Sequence, residues 1–283
     1  EMDSLRQKMS MKNELGRALL GEFAGTLVLL LIGSSVVAQA VLGKGKGNEM
    51  IGINVGYGLA IAFGVAVSAK LSGGHINPAV SLMFVSFKQL TPVRFLLYLV
   101  AQVLGAFCGA ALAYAVYHDA INAFDGGTRA VTGAKATAGI FASYPAPHLG
   151  NFNGFVDQML ATACFCFLIA HLTDKRNAYP SWVVPFLVGL SFVAIGAAFG
   201  LNCGYPCNPA RDFGPRLFTF LFGYGGDVFT HKGWFWVPIV APFVGALLGA
   251  WFYQFAVGFH TPQDEVDKYV IVSNQELKPL AKE

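Results

Sequence analysis

Charge is what this chain has least of. Of its 283 residues, Asp, Glu, Lys and Arg make up 12 %, about half the share of an ordinary soluble domain. The net charge is only +3 and the basic residues are scattered, which argues against a nucleic-acid partner. Cysteine is sparse: Cys108, Cys164, Cys166, Cys203 and Cys207. The spacing of Cys203 and Cys207 has no second pair or histidine beside it, so neither a metal site nor a cofactor is expected. No nucleophile–base arrangement and no phosphate loop stands out, so an enzyme is not expected. Asn-x-Ser/Thr does not occur, and N-glycosylation is not expected.

What is abundant is apolar length. Hydrophobic residues make up 55 % of the chain, and the mean hydropathy is +0.54. Long apolar runs cover residues 17–42, 51–71, 93–117, 152–172, 182–201 and 234–259, each near the roughly 20 residues of a spanning helix. The chain reads as an integral, multi-pass membrane protein. Ala38-Gln39-Ala40 in the first run imitates a signal-peptide cleavage site. That run is too long for a signal and contains Glu22, so it reads as a retained helix. Arg6, Lys8, Lys12, Arg17, Lys70, Lys88, Arg94, Lys175, Arg176, Lys268, Lys278 and Lys282 fall on one side of the membrane, with Lys44, Lys46, Arg129, Lys135 and Lys232 on the other. The excess places both termini in the cytoplasm.

The runs fall into two halves. Asn77-Pro78-Ala79 recurs as Asn208-Pro209-Ala210, and residues 101–110 (AQVLGAFCGA) match 241–250 (APFVGALLGA). An acid opens each half, Glu22 in the first and Asp157 in the second. Three spans per half is an odd number, so the second half enters the membrane inverted, with a shared site near the midplane. The organisation expected is a cytoplasmic segment 1–15, a membrane domain 16–259 and a mobile polar tail 260–283. The membrane domain divides into a repeat 16–117, a linking loop 118–151 and a repeat 152–259.

Asn is a favoured helix cap and Pro a favoured first helical residue. The apolar stretch after each Asn is about half a membrane long, from Ala79 to Phe87 and from Asn208 to near Leu221. Each reads as a re-entrant half-helix, tolerable only if the backbone before it lines an aqueous cavity. Inversion brings the two positive helix ends together at mid-membrane, where they oppose cations. Gly73, Gly74, His75 and Ile76, and Gly204, Tyr205 and Pro206, are expected to aim carbonyl acceptors along that cavity. Glu22 and Asp157 are expected to take the remaining N–H groups of these loops, as buried structural supports rather than proton relays.

The doubled Asn-Pro-Ala in an inverted six-helix frame closely resembles the aquaporin family of major intrinsic proteins, over residues 16–259. The resemblance implies an all-α fold of six transmembrane helices plus two re-entrant half-helices, assembled as a homotetramer with a pore in each subunit. Asp212 directly after Arg211, Arg216 further along, Pro238-Ile239 and the stretch 141–155 (FASYPAPHLGNFNGF) are similar to the glycerol-conducting branch. By position relative to the motifs, the family's selectivity filter falls on Tyr57, Gly196, Tyr205 and Arg211. The resemblance implies that Gly196 widens the filter and that Asp212 is a structural support. Two tyrosines make this filter wetter than that of most glycerol conductors. The reading is a passive channel for water and small neutral solutes, chiefly glycerol, excluding ions and protons, in a lipid bilayer. A mainly water-selective pore and, from outside the class, a secondary transporter stay open as alternatives. Cys207, next to Asn208, is expected to border the lumen.

Overall fold

The computed structural model describes residues 2–262, 269–273 and 276–279. In chain order its helices are α1 (Met2–Met9), α2 (Glu14–Leu42), α3 (Met50–Ser72), α4 (Pro78–Ser86), α5 (Pro92–Asp125), α6 (Asn151–Thr173), α7 (Val184–Cys203), α8 (Pro209–Thr219), α9 (Asp227–Thr230) and α10 (Val237–Ala256). Among the described residues six of them, α2, α3, α5, α6, α7 and α10, are long and apolar enough to cross a membrane. The two short helices α4 and α8 follow the Asn-Pro-Ala motifs. Much of the tail, expected to be mobile, lies outside the described residues; within it, β1 (Tyr269–Ser273) pairs antiparallel with β2 (Glu276–Pro279).

Local chemistry sets the boundaries. The Asn13 side chain caps α2 by accepting from the Gly16 N–H at 3.0 Å, and Thr91-Pro92 opens α5 with a hydroxyl cap and a proline, as such residues favour. Gly73 (φ +94°) and Gly126 (φ +71°) end α3 and α5 in the left-handed conformation that glycine adopts without strain. The α5 helix therefore runs past the expected end at residue 117: nothing in 118–125 breaks it until that glycine.

Close approach of backbones fixes the packing. A Cβ on Gly105 or Gly109 of α5 would lie 2.3 Å from Phe23 O or 2.5 Å from Leu27 O of α2. One on Gly245 or Gly249 of α10 would lie 2.2 Å from Met159 O or 1.9 Å from Ala163 O of α6. Both Gly-x-x-x-Gly pairs are thus contact surfaces, the small-residue packing favoured in lipid. The halves meet where α3 crosses α7, Gly58 against Gly189.

This register corrects the pairing of the two acids. The relation that takes Phe23 to Met159 and Leu27 to Ala163 takes Glu22 to Gln158, not to Asp157. A second match agrees: Thr26 donates to Glu22 O at 2.7 Å, and Thr162 to Gln158 O at 2.7 Å. The second half carries a neutral amide where the first carries a carboxylate.

The loop after α5 is folded into the protein. Ala138, Ile140 and Phe141 are fully buried, in a cluster with Phe218, Tyr224 and Val228. Arg129 ties it down, donating to both Asp125 oxygens at 2.9 and 2.8 Å and to Tyr114 Oη and Asn122 Oδ1 at 2.7 Å.

Candidate functional site

The N-termini of α4 and α8 meet in the middle of the molecule. Asn77 Oδ1 accepts from Ala79 N at 2.9 Å, and Asn208 Oδ1 from Ala210 N at 3.0 Å and Arg211 N at 3.1 Å. Pro78 and Pro209 take the first helical positions, where a missing N–H costs nothing. Each asparagine also reaches across: Asn77 Nδ2 donates to Cys207 O and Asn208 Nδ2 to Ile76 O, both at 2.9 Å. One amide hydrogen of each is thereby used and one remains for the cavity. The residues that supply these carbonyls, Ile76 (φ +44°) and Cys207 (φ +48°), hold a backbone conformation rare for bulky side chains. Such strain costs about 1–3 kcal/mol per residue and persists only where surroundings over-determine it; the crossed bonds do so here.

Behind the first loop, Glu22 is fully buried. Its Oε1 accepts from the Ser72 hydroxyl at 2.6 Å and His75 N at 2.9 Å; its Oε2 accepts from Ile76 N and Gln102 Nε2 at 2.7 Å. Asp157 behaves differently from expectation and binds no loop N–H. It accepts from Asn202 Nδ2 at 2.9 Å and from Gln158 Nε2 at 2.8 Å, and Gln158 reaches the loop at Gly204 O, 3.3 Å away. Asp157 sits one position off the register of Glu22 and points elsewhere on its helix. The His75 ring stacks on Phe84, centroids 4.5 Å apart, with its Nδ1 3.1 Å from Ser81 Oγ.

Three cavities adjoin one another beside these loops, the smallest sharing lining residues with each of the other two. The one beside the loop before α8, termed the outer cavity as a label alone, is about 230 Å³ and is bordered by Gly204, Tyr205, Pro206, Tyr57 and Arg211. The inner one, about 70 Å³, is bordered by Gly73, Gly74, His75, Ile76, Asn77 and Asn208. Between them lies a space of about 10 Å³, enough for about one water. It shares Tyr57, Phe192, Pro206 and Arg211 with the outer cavity, and Leu29, Ile61, Asn77, Phe165 and Asn208 with the inner one. Gly73, Gly74, His75, Ile76, Gly204, Tyr205 and Pro206 all border a cavity, while two of their carbonyls are engaged by side chains, Ile76 O by Asn208 and Gly204 O by Gln158.

At the outer constriction the Arg211 guanidinium lies 5.0 Å from the Tyr57 ring centroid and donates to Phe141 O at 2.9 Å. Its four other N–H donors are not used by that bond. Tyr57 and Tyr205 stand edge to face, centroids 6.4 Å apart, and neither hydroxyl has a partner among the described residues. Gly196 does not simply widen this ring. A Cβ there would lie 2.6 Å from Tyr205 Cζ and 2.5 Å from Asn54 Oδ1, so the room it leaves is occupied by the tyrosine.

Asp212 lies beneath, fully buried, and accepts from Arg216 Nε at 2.8 Å and Ser143 N at 2.7 Å. Arg216 donates to Ser143 O and Val228 O, both at 2.6 Å, and faces the Tyr144 ring at 4.7 Å. Asp212 thus anchors the loop whose Phe141 carbonyl holds Arg211. Sequence reasoning missed Ser72, Gln102, Phe141 and Ser143. Gln102 could have been found as an uncharged polar residue inside a spanning run; a loop carbonyl such as that of Phe141 leaves no signal.

Cys207 does not border the lumen. It is fully buried among Phe165 and Cys166, because the left-handed turn directs its side chain away from the cavities. Of the two, the residue that borders the outer cavity is Cys203, itself largely buried, with its thiol against Gln158 Nε2 at 3.1 Å.

Fold and site together define a class: a polytopic membrane protein built as an inverted repeat, whose two re-entrant helices meet N-terminus to N-terminus beside a line of cavities. A family model described as Major intrinsic protein matches residues 9–253. The chain belongs to the major intrinsic protein family. It is 41 % identical to human aquaporin-9 over 278 residues, covering 98 % of this chain and 94 % of that protein. It is 46 % identical to aquaglyceroporin-2 of Rhizophagus irregularis over 235 residues, 82 % of this chain and 74 % of that one. The crystal structure of the aquaglyceroporin from Plasmodium falciparum superposes with a TM-score of 0.77 at 32 % identity, covering 85 % of this chain and 96 % of that one.

Proposed function

We propose that this protein is a passive transmembrane channel for water and small neutral solutes, chiefly glycerol, and that it excludes ions and protons. The observation that carries the reading is the unbroken sharing of residues between the outer, middle and inner cavities, with Arg211 at one constriction and the paired asparagines at the next. The similarity to aquaglyceroporins supports glycerol as a permeant. A neutral hydroxyl compound finds donors from Arg211, Asn77 and Asn208 and carbonyl acceptors on the loops. A cation or hydronium meets the positive ends of α4 and α8, each equivalent to roughly half an elementary charge. Tyr57, Gly196, Tyr205 and Arg211 form the selectivity filter; Glu22, Asp157 and Asp212 support it.

The membrane domain spans 16–259, with both termini cytoplasmic, in a homotetramer of the plasma membrane. The one-water size of the middle space favours a second reading, a mainly water-selective pore. Stopped-flow light scattering on proteoliposomes decides between them. Fast shrinkage in an impermeant osmolyte with fast reswelling in glycerol supports the first reading, and shrinkage without reswelling supports the second. A trapped pH dye that responds quickly to an outside pH step would overturn proton exclusion.

A further inference from the structure

Gly33 belongs to none of the motifs and is not among the residues that line the three cavities. It is buried inside α2, directly behind Tyr57. A Cβ there would lie 2.4 Å from Tyr57 Cε1, 2.6 Å from Cζ and 3.0 Å from Cδ1, well inside the separation at which carbon atoms pack. One edge of the ring therefore sits in a notch of α2 that exists only because residue 33 has no side chain. Glycine inside a helix is disfavoured against alanine, so its presence needs a reason. The ring supplies one.

The notch cannot open by retreat of the helix. On one side of the contact Gly25 and Gly64 bring α2 and α3 together, a Cβ on either lying 2.7 Å from the other's carbonyl oxygen. One turn along on the other side, Val36 of α2 fills the space over Gly56, where a Cβ would be 2.6 Å from Val36 Cγ2. The helix α5 holds α2 as well, through Gly105 and Gly109. The Tyr57 ring, by contrast, has open space beside it, since it borders the outer and the middle cavity together with Arg211.

We propose that Gly33 is a specificity-determining positioning residue, which holds the Tyr57 ring back from the constriction and so sets its width for glycerol. This rests on the channel reading above. The Arg211 guanidinium is fixed by Phe141 O at 2.9 Å and lies 5.0 Å from the ring centroid. A side chain at position 33 would have to move the ring by roughly an ångström to reach ordinary contact. That movement takes space from the cavities, because α2 gives none. A three-carbon polyol uses the full width of the opening, whereas a single water needs less.

The test compares Gly33→Ala, Tyr57→Leu and the double variant with the parent in proteoliposomes. Gly33→Ala is expected to lower glycerol permeability about tenfold, as overpacking implies, and water permeability by no more than about threefold. In the Tyr57→Leu background the ring is gone, and the same substitution should leave the glycerol-to-water ratio within about twofold. An unchanged ratio in Gly33→Ala, or an equal loss in both backgrounds, would overturn the proposal. If Gly33→Ala does not assemble, the double variant decides. Assembly with the ratio of Tyr57→Leu supports the notch, and failure to assemble overturns it. A parent protein that passes neither solute would fail the channel reading instead. The notch is then read without transport, from a crystal structure of Gly33→Ala. A Tyr57 ring shifted toward Arg211 supports it, and a ring in its parent place overturns it.

Discussion

The Asn77 amide donates to the Cys207 carbonyl at 2.9 Å, and Asn208 returns the same bond to Ile76 at 2.9 Å. Each asparagine therefore caps its own half-helix and secures the turn that leads into the other. Neither half of the site is complete without its inverted copy.

Asn77→Asp separates these two jobs. The carboxylate still caps α4 but cannot donate to Cys207 O. The expected result is a loss of about 1–3 kcal/mol from the unpaired Cys207 carbonyl, with one negative charge added beside the lumen. Thermal unfolding in detergent should shift down by a few degrees, and a trapped pH dye should report faster proton entry than in the parent. Proton entry as slow as in the parent would show that the asparagine donor does not contribute to the barrier.

Gly196→Ala tests the constriction. The new Cβ would lie 2.6 Å from Tyr205 Cζ and 2.5 Å from Asn54 Oδ1, closer than real contacts allow, and overpacking of this kind costs about 1–3 kcal/mol. The ring is expected to yield by moving toward the lumen. Glycerol-driven reswelling should slow by about tenfold, consistent with that energy, while osmotic shrinkage changes less. Unchanged glycerol flux would mean that the ring moves away from the lumen instead.

The architecture was legible because its causes are local. Asn-Pro makes a helix start wherever it stands, and two copies around an odd number of spans force the inversion. The pairing of acids was misread because Asp157 and Gln158 are adjacent in sequence yet about 100° apart around the helix, and only the contact of α6 with α10 tells which faces the loop. The direction of the Cys207 thiol depends on a positive φ that no residue type announces. Phe141 reaches Arg211, and Ser143 reaches Asp212 and Arg216, through main-chain atoms, on which side-chain chemistry is silent.

Mercurial sensitivity should follow Cys203 rather than Cys207. Both are buried, but only the first is a residue that borders the outer cavity, while the second is fully buried behind its loop. Water flux in Cys203→Ser vesicles should resist a mercury salt that blocks the parent, and Cys207→Ser should stay sensitive. The reverse pattern would contradict the placement of both thiols.

Arg216→Lys should destabilise the outer loop without adding or removing charge. The guanidinium satisfies Asp212 Oδ1, Ser143 O and Val228 O at once from a fully buried position, and an ammonium cannot reproduce that fork. Breaking a buried pair costs roughly 3–5 kcal/mol, and part of that should appear here. Limited proteolysis within residues 126–149 should become faster, and glycerol selectivity should weaken as Phe141 O loses its fixed place beside Arg211. Protection equal to that of the parent would show that the loop is held by its buried apolar residues alone.

The two halves differ in their buried support, and exchanging the residues should show it. Glu22 accepts four hydrogen bonds, from Ser72, His75, Ile76 and Gln102. Glu22→Gln turns one acceptor into a donor aimed at donors, leaving groups unsatisfied at about 1–3 kcal/mol each. Gln158→Glu makes the opposite error. It removes the donor that now binds Asp157 Oδ2 at 2.8 Å and Gly204 O at 3.3 Å, and it sets a second carboxyl against Asp157. Both variants should therefore unfold at lower temperature, and the double exchange should not restore stability, since each position is matched to its own loop. A double variant as stable as the parent would mean that the supports are interchangeable and that the crossed asparagine bonds alone hold the loops.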